Sequence, residues 1–169
     1  RMEKGRAEQK VKIRVEKGAS LCYLPCPVIP FADSEFLGRN EIYLEKGARF
    51  AMQDILACGR KAMGERFDFR KYHSRTVVYE DDKPVFADNT RLVPEEFRIN
   101  GIGYFEGYTH QGMAYFYGWK EILLHERDTL LSAVTRAVEG QTVRILGSSS
   151  EEIESYIREM IREECVYGI

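Results

Sequence analysis

The sequence predicts a mainly β fold of stacked, partly repeated strand layers, β-helical-like in character, with two C-terminal α-helices. Three observations carry this expectation. One segment recurs at a fixed spacing, apolar residues alternate with polar ones along much of the chain before Asp128, and a helical period takes over only after it.

The repeat comes first. Laying Lys12 to Leu24 over Glu41 to Gln53 aligns Glu16-Lys17-Gly18-Ala19 with Glu45-Lys46-Gly47-Ala48, 29 residues further on. Such a period marks units that stack because each has too little apolar surface to stand alone. In the first copy Val11, Ile13 and Val15 alternate with Lys12, Arg14 and Glu16, and a glycine turn leads on to Leu21 and Tyr23. That pattern reads as strand, turn, strand. In the second copy Ile42 and Leu44 precede the turn, and Phe50 and Met52 follow it.

Further along, Phe67 and Phe69 alternate with Arg66, Asp68 and Arg70, which predicts another strand. Ser74 to Asn89 reads as a hairpin turning at Asp81 to Pro84, and Pro94-Glu95-Glu96 opens a short helical turn. Two aromatic strands, Tyr104 to Tyr108 and Met113 to Tyr117, are expected to join through Thr109 to Gly112. From Asp128 the period changes: Leu130, Leu131, Val134, Ala137 and Val138 fall on one face of a helix ended by Gly140. A short strand, Thr142 to Leu146, separates it from the last helix. There Ser148 to Ser150 supply caps, Glu151, Glu152 and Glu154 suit the positive helix start, and Ile153, Tyr156, Ile157, Met160 and Ile161 form an apolar stripe. The stripe is expected to pack on the chain's own sheet, with docking to another subunit as the alternative.

Length and composition bound the function. At 169 residues and 44% hydrophobic content, residues 1–169 are expected to form a single domain. Lys and Arg number 25 against 27 Asp and Glu, so a net charge of -2 gives no electrostatic case for nucleic acid or an anionic membrane. Partners must then be recognised by local shape. No apolar run is long enough to span a bilayer, and the start lacks the apolar segment of a signal peptide, which favours a cytoplasmic location. The chain opens at Arg1 with a polar, strand-like run, as though inside a larger β structure, so a fragment without its N-terminal β section is expected.

Cys22 and Cys26 would lie roughly 13 Å apart along a strand, whereas a disulfide needs Cα atoms within about 7 Å. Cys58 and Cys165 are isolated, and no spacing supports a zinc site. Reduced, buried thiols are the expectation.

The chemical motifs fail one by one. Gly59 to Arg66 superficially matches a phosphate loop, but Glu65-Arg66 stands where Lys followed by Ser or Thr is required. In Gly101 to Gly107 the third glycine comes one residue late for a dinucleotide fingerprint, and Tyr104 and Phe105 crowd the positions where a pyrophosphate must approach. His73, His110 and His125 serve no serine in a nucleophile elbow. At Gly59, Arg60, Gly64 and Glu65 the glycines would supply unusual φ angles while Arg60 and Glu65 pair across the turn. The functional alternatives are a rigid charged loop presented to a partner, or a polar passage for a hard cation lined by Glu65 and Asp54.

Taken together, several segments resemble the urease accessory protein family UreD, also called UreH. They are Tyr23-Leu24-Pro25, then Pro27-Val28-Ile29-Pro30-Phe31 with Ser34, the strand leading to Asp54, Gly59-Arg60 with Gly64-Glu65, the Phe67 and Phe69 strand, the Ser74-Arg75 turn, and Val143 to Gly147. The resemblance spans nearly the whole chain. It implies a non-enzymatic chaperone that binds apo-urease subunits and joins UreF and the GTPase UreG, so that nickel enters the urease active site as UreG hydrolyses GTP. It implies no permanently bound cofactor, only transient nickel, and a β-rich fold with helices near its C-terminus. Pro27, Pro30, Phe31, Ser34, Gly59, Arg60, Gly64 and Glu65 become the family-motif and interaction residues, and Asp54 and Glu65 the candidates for a nickel passage. Family members carry a further N-terminal β section, so this chain is expected to match their C-terminal portion.

Two other classes stay in view. A β-fold carbohydrate-active hydrolase would need paired carboxylates among Asp33, Asp54, Glu65 and Asp68, about 5 to 9.5 Å apart. A structural module would self-associate through the last helix.

Overall fold

The computed structural model describes residues 5–99 and 101–166, with side chains as far as Arg162 in the last helix. Its strands are β1 (Arg6–Val15), β2 (Ser20–Tyr23), β3 (Glu35–Leu44), β4 (Arg49–Ala57), β5 (Lys71–Glu80), β6 (Lys83–Leu92), β7 (His110–Tyr117), β8 (Leu131–Arg136) and β9 (Gln141–Gly147), followed by α1 (Ser150–Val166). They form a four-stranded sheet, β1-β3-β5-β6, and a five-stranded sheet, β2-β4-β7-β9-β8.

The repeat is the scaffold of the first half. β1 lies parallel to β3 with Val15 beside Leu44, and β2 lies parallel to β4 with Ser20 beside Arg49, so both pairings carry the 29-residue spacing. The turns between them stack as well: the Gly18 amide donates to the Gly47 carbonyl at 3.2 Å, and the Lys17 amide to Glu45 Oε2 at 3.0 Å. A third level begins with β5, parallel to β3, and Asp81 donates its amide to the Leu44 carbonyl at 3.1 Å. There the stacking ends. Asp81 and Asp82 both take left-handed φ angles, 46° and 66°, which short acidic side chains tolerate in a two-residue hairpin turn. The chain therefore reverses into β6, and the free side of β4 is taken by antiparallel β7.

Period-two alternation sorts β4 between two layers. Ala51 and Ile55 join Ile153, Tyr156, Ile157 and Met160 of α1 in one core, whereas Phe50 and Met52 face Ile42 and Val78 of the other sheet in a second. A third core, with Leu56, Phe67, Phe69, Tyr72 and Phe105, fills the opposite end of the inter-sheet space. The helix begins as its sequence requires, with the Glu152 amide donating to Ser149 Oγ at 3.3 Å. Its stripe is used within the chain, against the five-stranded sheet.

Four expectations change. Among the described residues there is one helix, not two, because the stretch from Asp128 to Val138 forms edge strand β8. Leu130 sinks toward α1 while Val138 is 82% exposed, so the apolar set that mimicked a helix face has no common partner. Pairing with β9 and the β-branched Val134 and Thr135 decide the conformation. Phe67 and Phe69 lie in an irregular segment, Phe67 with φ 61°, and both point into the third core. Tyr104 to Tyr108 forms successive turns in which Gly103, Glu106 and Gly107 all take positive φ. Of the thiols, Cys58 is buried as expected, but Cys22 and Cys26 are exposed beside Pro25; the Cys165 side chain lies outside the described residues. No described helix is long and apolar enough to cross a membrane.

Candidate functional site: a polar layer between the sheets

The inward row of β4 runs Phe50, Met52, Asp54, Leu56, so a carboxylate interrupts an otherwise apolar line between two cores. Opposite it, β5 presents Tyr72 and Ser74, which are 2% and 3% exposed. The Ser74 hydroxyl donates to Asp54 Oδ2 at 2.7 Å and the Tyr72 hydroxyl to Oδ1 at 3.2 Å. Gly38 on β3 gives the serine room, since a Cβ there would lie 3.2 Å from Ser74 Oγ and 3.1 Å from the Phe36 ring.

The layer continues across the sheets. Asn40 donates to Thr76 Oγ1 at 3.0 Å, Thr90 donates to Asp88 at 3.3 Å, and Arg144 of β9 reaches over to pair with Asp88 of β6. Asp88 is almost covered, its side chain 8% exposed, whereas that of Arg144 is 42% exposed. Asp54 is only partly buried because a cavity of about 40 Å³, wide enough for a water, opens beside it. The wall of that cavity includes Tyr23, Pro25, Cys26 and Val28. Val28 is pinned to β4 by amide bonds to Ile55 and from Ala57, and the Gln53 amide donates to the Pro25 carbonyl at 2.9 Å. The proline-framed segment is thus the lid of the space around Asp54.

Desolvation pushes the Asp54 carboxyl above the usual carboxylate range, against the opposing pull of the Ser74 and Tyr72 hydroxyls. The Asp88 charge adds to the rise and Arg144 offsets part of it. Tyr72 and Tyr23 are raised as well, by burial first and by Asp54 second.

Glu65 stands elsewhere, in the loop after β4. Arg60 grips it through Nε at 2.9 Å and through a second bond from Nη2, the Ala32 amide donates to it at 3.3 Å, and the guanidinium stacks 4.4 Å from the Phe31 ring centroid. Arg60 holds the Glu65 carboxyl below its ordinary range. Ser34 closes its own loop, its hydroxyl donating to the Phe31 carbonyl at 2.6 Å, and the two loops meet through the Asp33 amide, which donates to the Asp68 carbonyl at 2.9 Å. Gly59, at φ 140°, and Gly64, at φ 80°, shape the turn around a single 3₁₀ turn, Lys61–Met63. Pro30 is buried, and Pro27 is partly buried between the cavity-wall residues Cys26 and Val28.

The motif residues therefore divide into two places. The loops gather Phe31, Ser34, Gly59, Arg60, Gly64 and Glu65, and the expected Arg60–Glu65 pair is present. Asp54 shares no hydrogen-bond partner with Glu65, and Glu65 is not among the residues that wall the cavity beside Asp54. Nor do the four carboxylates of the hydrolase reading converge: Asp33, Glu65 and Asp68 belong to the loops and Asp54 to the inter-sheet layer. Among the described residues no group of three or more His, Cys, Asp or Glu could hold a metal ion. Sequence reasoning found Asp54 but missed Tyr72, Ser74, Asp88 and Arg144. Their signal is polar residues at the inward positions of alternating strands.

Comparison with known proteins places the chain. The family model described as UreD urease accessory protein matches residues 1–166. The urease accessory protein UreD of Acetivibrio thermocellus is 38% identical over 169 residues, covering 94% of this chain and 64% of that protein. UreH of Helicobacter hepaticus is 41% identical over 106 residues, covering 63% of the chain and 42% of the relative. UreD of Staphylococcus saprophyticus is 29% identical over 163 residues, covering 89% and 58%. The chain thus spans less than two thirds of the length of each of these relatives.

Proposed function

The chain belongs to the UreD urease accessory protein family, and on that premise we propose that it is a non-enzymatic scaffold for urease maturation. It acts in the cytoplasm with UreF and the GTPase UreG on apo-urease subunits, and nickel is its cargo. The observation that carries the reading is the family match over residues 1–166.

The chemistry supports it. The Gly59–Gly64 loop holds only a three-residue 3₁₀ turn, and Gly101–Gly107 is itself a run of turns before β7. A phosphate loop needs a strand before it and a full helix start after it, so nucleotide hydrolysis is assigned to UreG. Asp54 and Ser74 offer oxygen to the cavity and Cys26 lies on its wall; the Asp54 carboxylate suits passing contact with a divalent ion. An arriving cation would favour the ionised form of the Asp54 carboxyl, against the desolvation that raises it. Asp54 is the proposed carboxylate of the nickel passage, and the Phe31, Arg60 and Glu65 loops the proposed docking surface.

The test is deletion of the gene in its own host. Urease protein should accumulate at normal abundance without metal, and restoring the gene should restore nickel content. Urease that loads nickel normally in the deletion strain would end this reading.

A further inference from the structure

The four sheet edges are guarded unequally. Along β1, Arg6, Glu8, Lys10, Lys12 and Arg14 put charge at every second position, and β6 carries Lys83, Pro84, Asp88 and Arg91. The β2 edge is only four residues long. Charge, proline and shortness are the devices that keep an edge from pairing with another chain. β8, Leu-Ser-Ala-Val-Thr-Arg, has none of them before Arg136, which is itself paired with Glu121 at 3.2 Å. Within its sheet β8 is bonded to β9 on one side only, and Leu131 and Val134 are 49% and 39% exposed.

Beside this open edge lies a cavity of about 420 Å³, walled by Tyr104 and Phe105 and by Leu131 and Leu146. Its lining holds a single charged residue, Arg144. That guanidinium faces Asp88 on the inner side, where the aspartate is nearly covered, and is itself 42% exposed. A second copy of β8 could pair backbone to backbone, but it carries no carboxylate to meet Arg144.

We propose that β8 and the Arg144 groove form a docking site for an extended segment of another protein, one that carries an aliphatic and an acidic residue two positions apart, on the same strand face as Leu131 and Arg144. The segment adds as a sixth strand to the five-stranded sheet, places an aliphatic side chain between Leu131 and Tyr104, and turns a carboxylate to Arg144. Backbone pairing then supplies affinity, and the groove supplies selectivity. This inference is independent of the nickel reading.

The probe is a blocked synthetic threonine-rich peptide with valine and aspartate two positions apart, with the same peptide carrying lysine for aspartate as control, tested on the whole protein by fluorescence anisotropy and amide hydrogen exchange. The acidic peptide should protect β8 amides, and the lysine peptide should bind at least about tenfold more weakly. Leu131→Asp, on an exposed side chain, should weaken the acidic peptide at least about tenfold with melting unchanged, while Lys12→Asp on the β1 edge should not. Protection on β1 or β2 instead of β8, or no binding of the acidic peptide up to about 1 mM, overturns the proposal. So does a concentration-dependent homodimer that Leu131→Asp dissolves while peptide binding is untouched. Decanoate filling the groove more tightly than the acidic peptide, with no protection of β8, would mark a small-molecule site and overturn it too.

Discussion

Asp54 and Glu65 each accept two or more hydrogen bonds, yet their surroundings drive them in opposite directions. The donors to Asp54 are two neutral hydroxyls between the sheets, and desolvation prevails, so the protonated form gains. The donors to Glu65 are the Arg60 guanidinium, foremost, and the Ala32 amide, and the charged form gains. Counting hydrogen bonds does not set a charge state; the charge of the donor and the access of water do. One carboxylate is therefore a held charge on a loop, and the other a carboxyl whose ionisation desolvation disfavours.

The comparison can be broken most severely from the β5 side. The double substitution Tyr72→Phe with Ser74→Ala keeps the Tyr72 ring, stacked 5.4 Å from Phe36, but removes both donors to Asp54. Leaving a desolvated acceptor without partners should cost about 2 to 4 kcal/mol in urea unfolding at pH 7, and the Asp54 carboxyl should titrate higher still. A loss of a few tenths would mean that water already serves the carboxylate.

Asp54→Asn should change stability less, and in the opposite direction. Because the folded-state pKa of Asp54 lies above the unfolded one, the folded state binds the extra proton between those two values, and stability falls as pH rises through that window. The asparagine lacks that penalty. Its stability relative to the parent should be lowest below the unfolded carboxylate pKa and grow toward neutrality, read from melting temperatures across a pH series. A variant that gains relative stability toward acid would contradict the burial argument.

The smallest effect is expected at the loop. Arg60→Gln should barely move the melting temperature, since the arginine side chain is 40% exposed. It should still return Glu65 to the ordinary carboxylate range in an NMR titration. The sign is the reverse of Asp54: a lowered folded pKa adds stability above the unfolded pKa that disappears as pH falls, and the substitution should erase that acid sensitivity. An unmoved Glu65 would show that the Ala32 amide, not Arg60, holds the charge.

Much of the scaffold was legible because local and long-range order coincide in a stacked repeat. The interval from Glu16 to Glu45 is the register of β1 on β3, so the sequence spacing is itself the pairing rule. The Arg60–Glu65 pair was legible for a similar reason, being five residues apart around glycines of fixed conformation. Asp54 was visible as a carboxylate, but its partners come from β5, β6 and β9, and no local pattern states that Ser74 or Arg144 will lie across from it. The region from Asp128 to Val138 was misread because five apolar residues at helical spacing also fit an edge strand whose two faces meet different neighbours. Only the pairing of β8 with β9 decides between them.

The central claim is that the ionisable group of Asp54, rather than its hydrogen bonds, is what the inter-sheet layer provides. The direct measurement is the nickel content of urease purified from the natural host carrying Asp54→Asn at the chromosomal locus, alongside the abundance of the variant itself. The account predicts a variant at least as abundant as the parent protein and a urease depleted of nickel. Full nickel loading beside a normally abundant variant would contradict it.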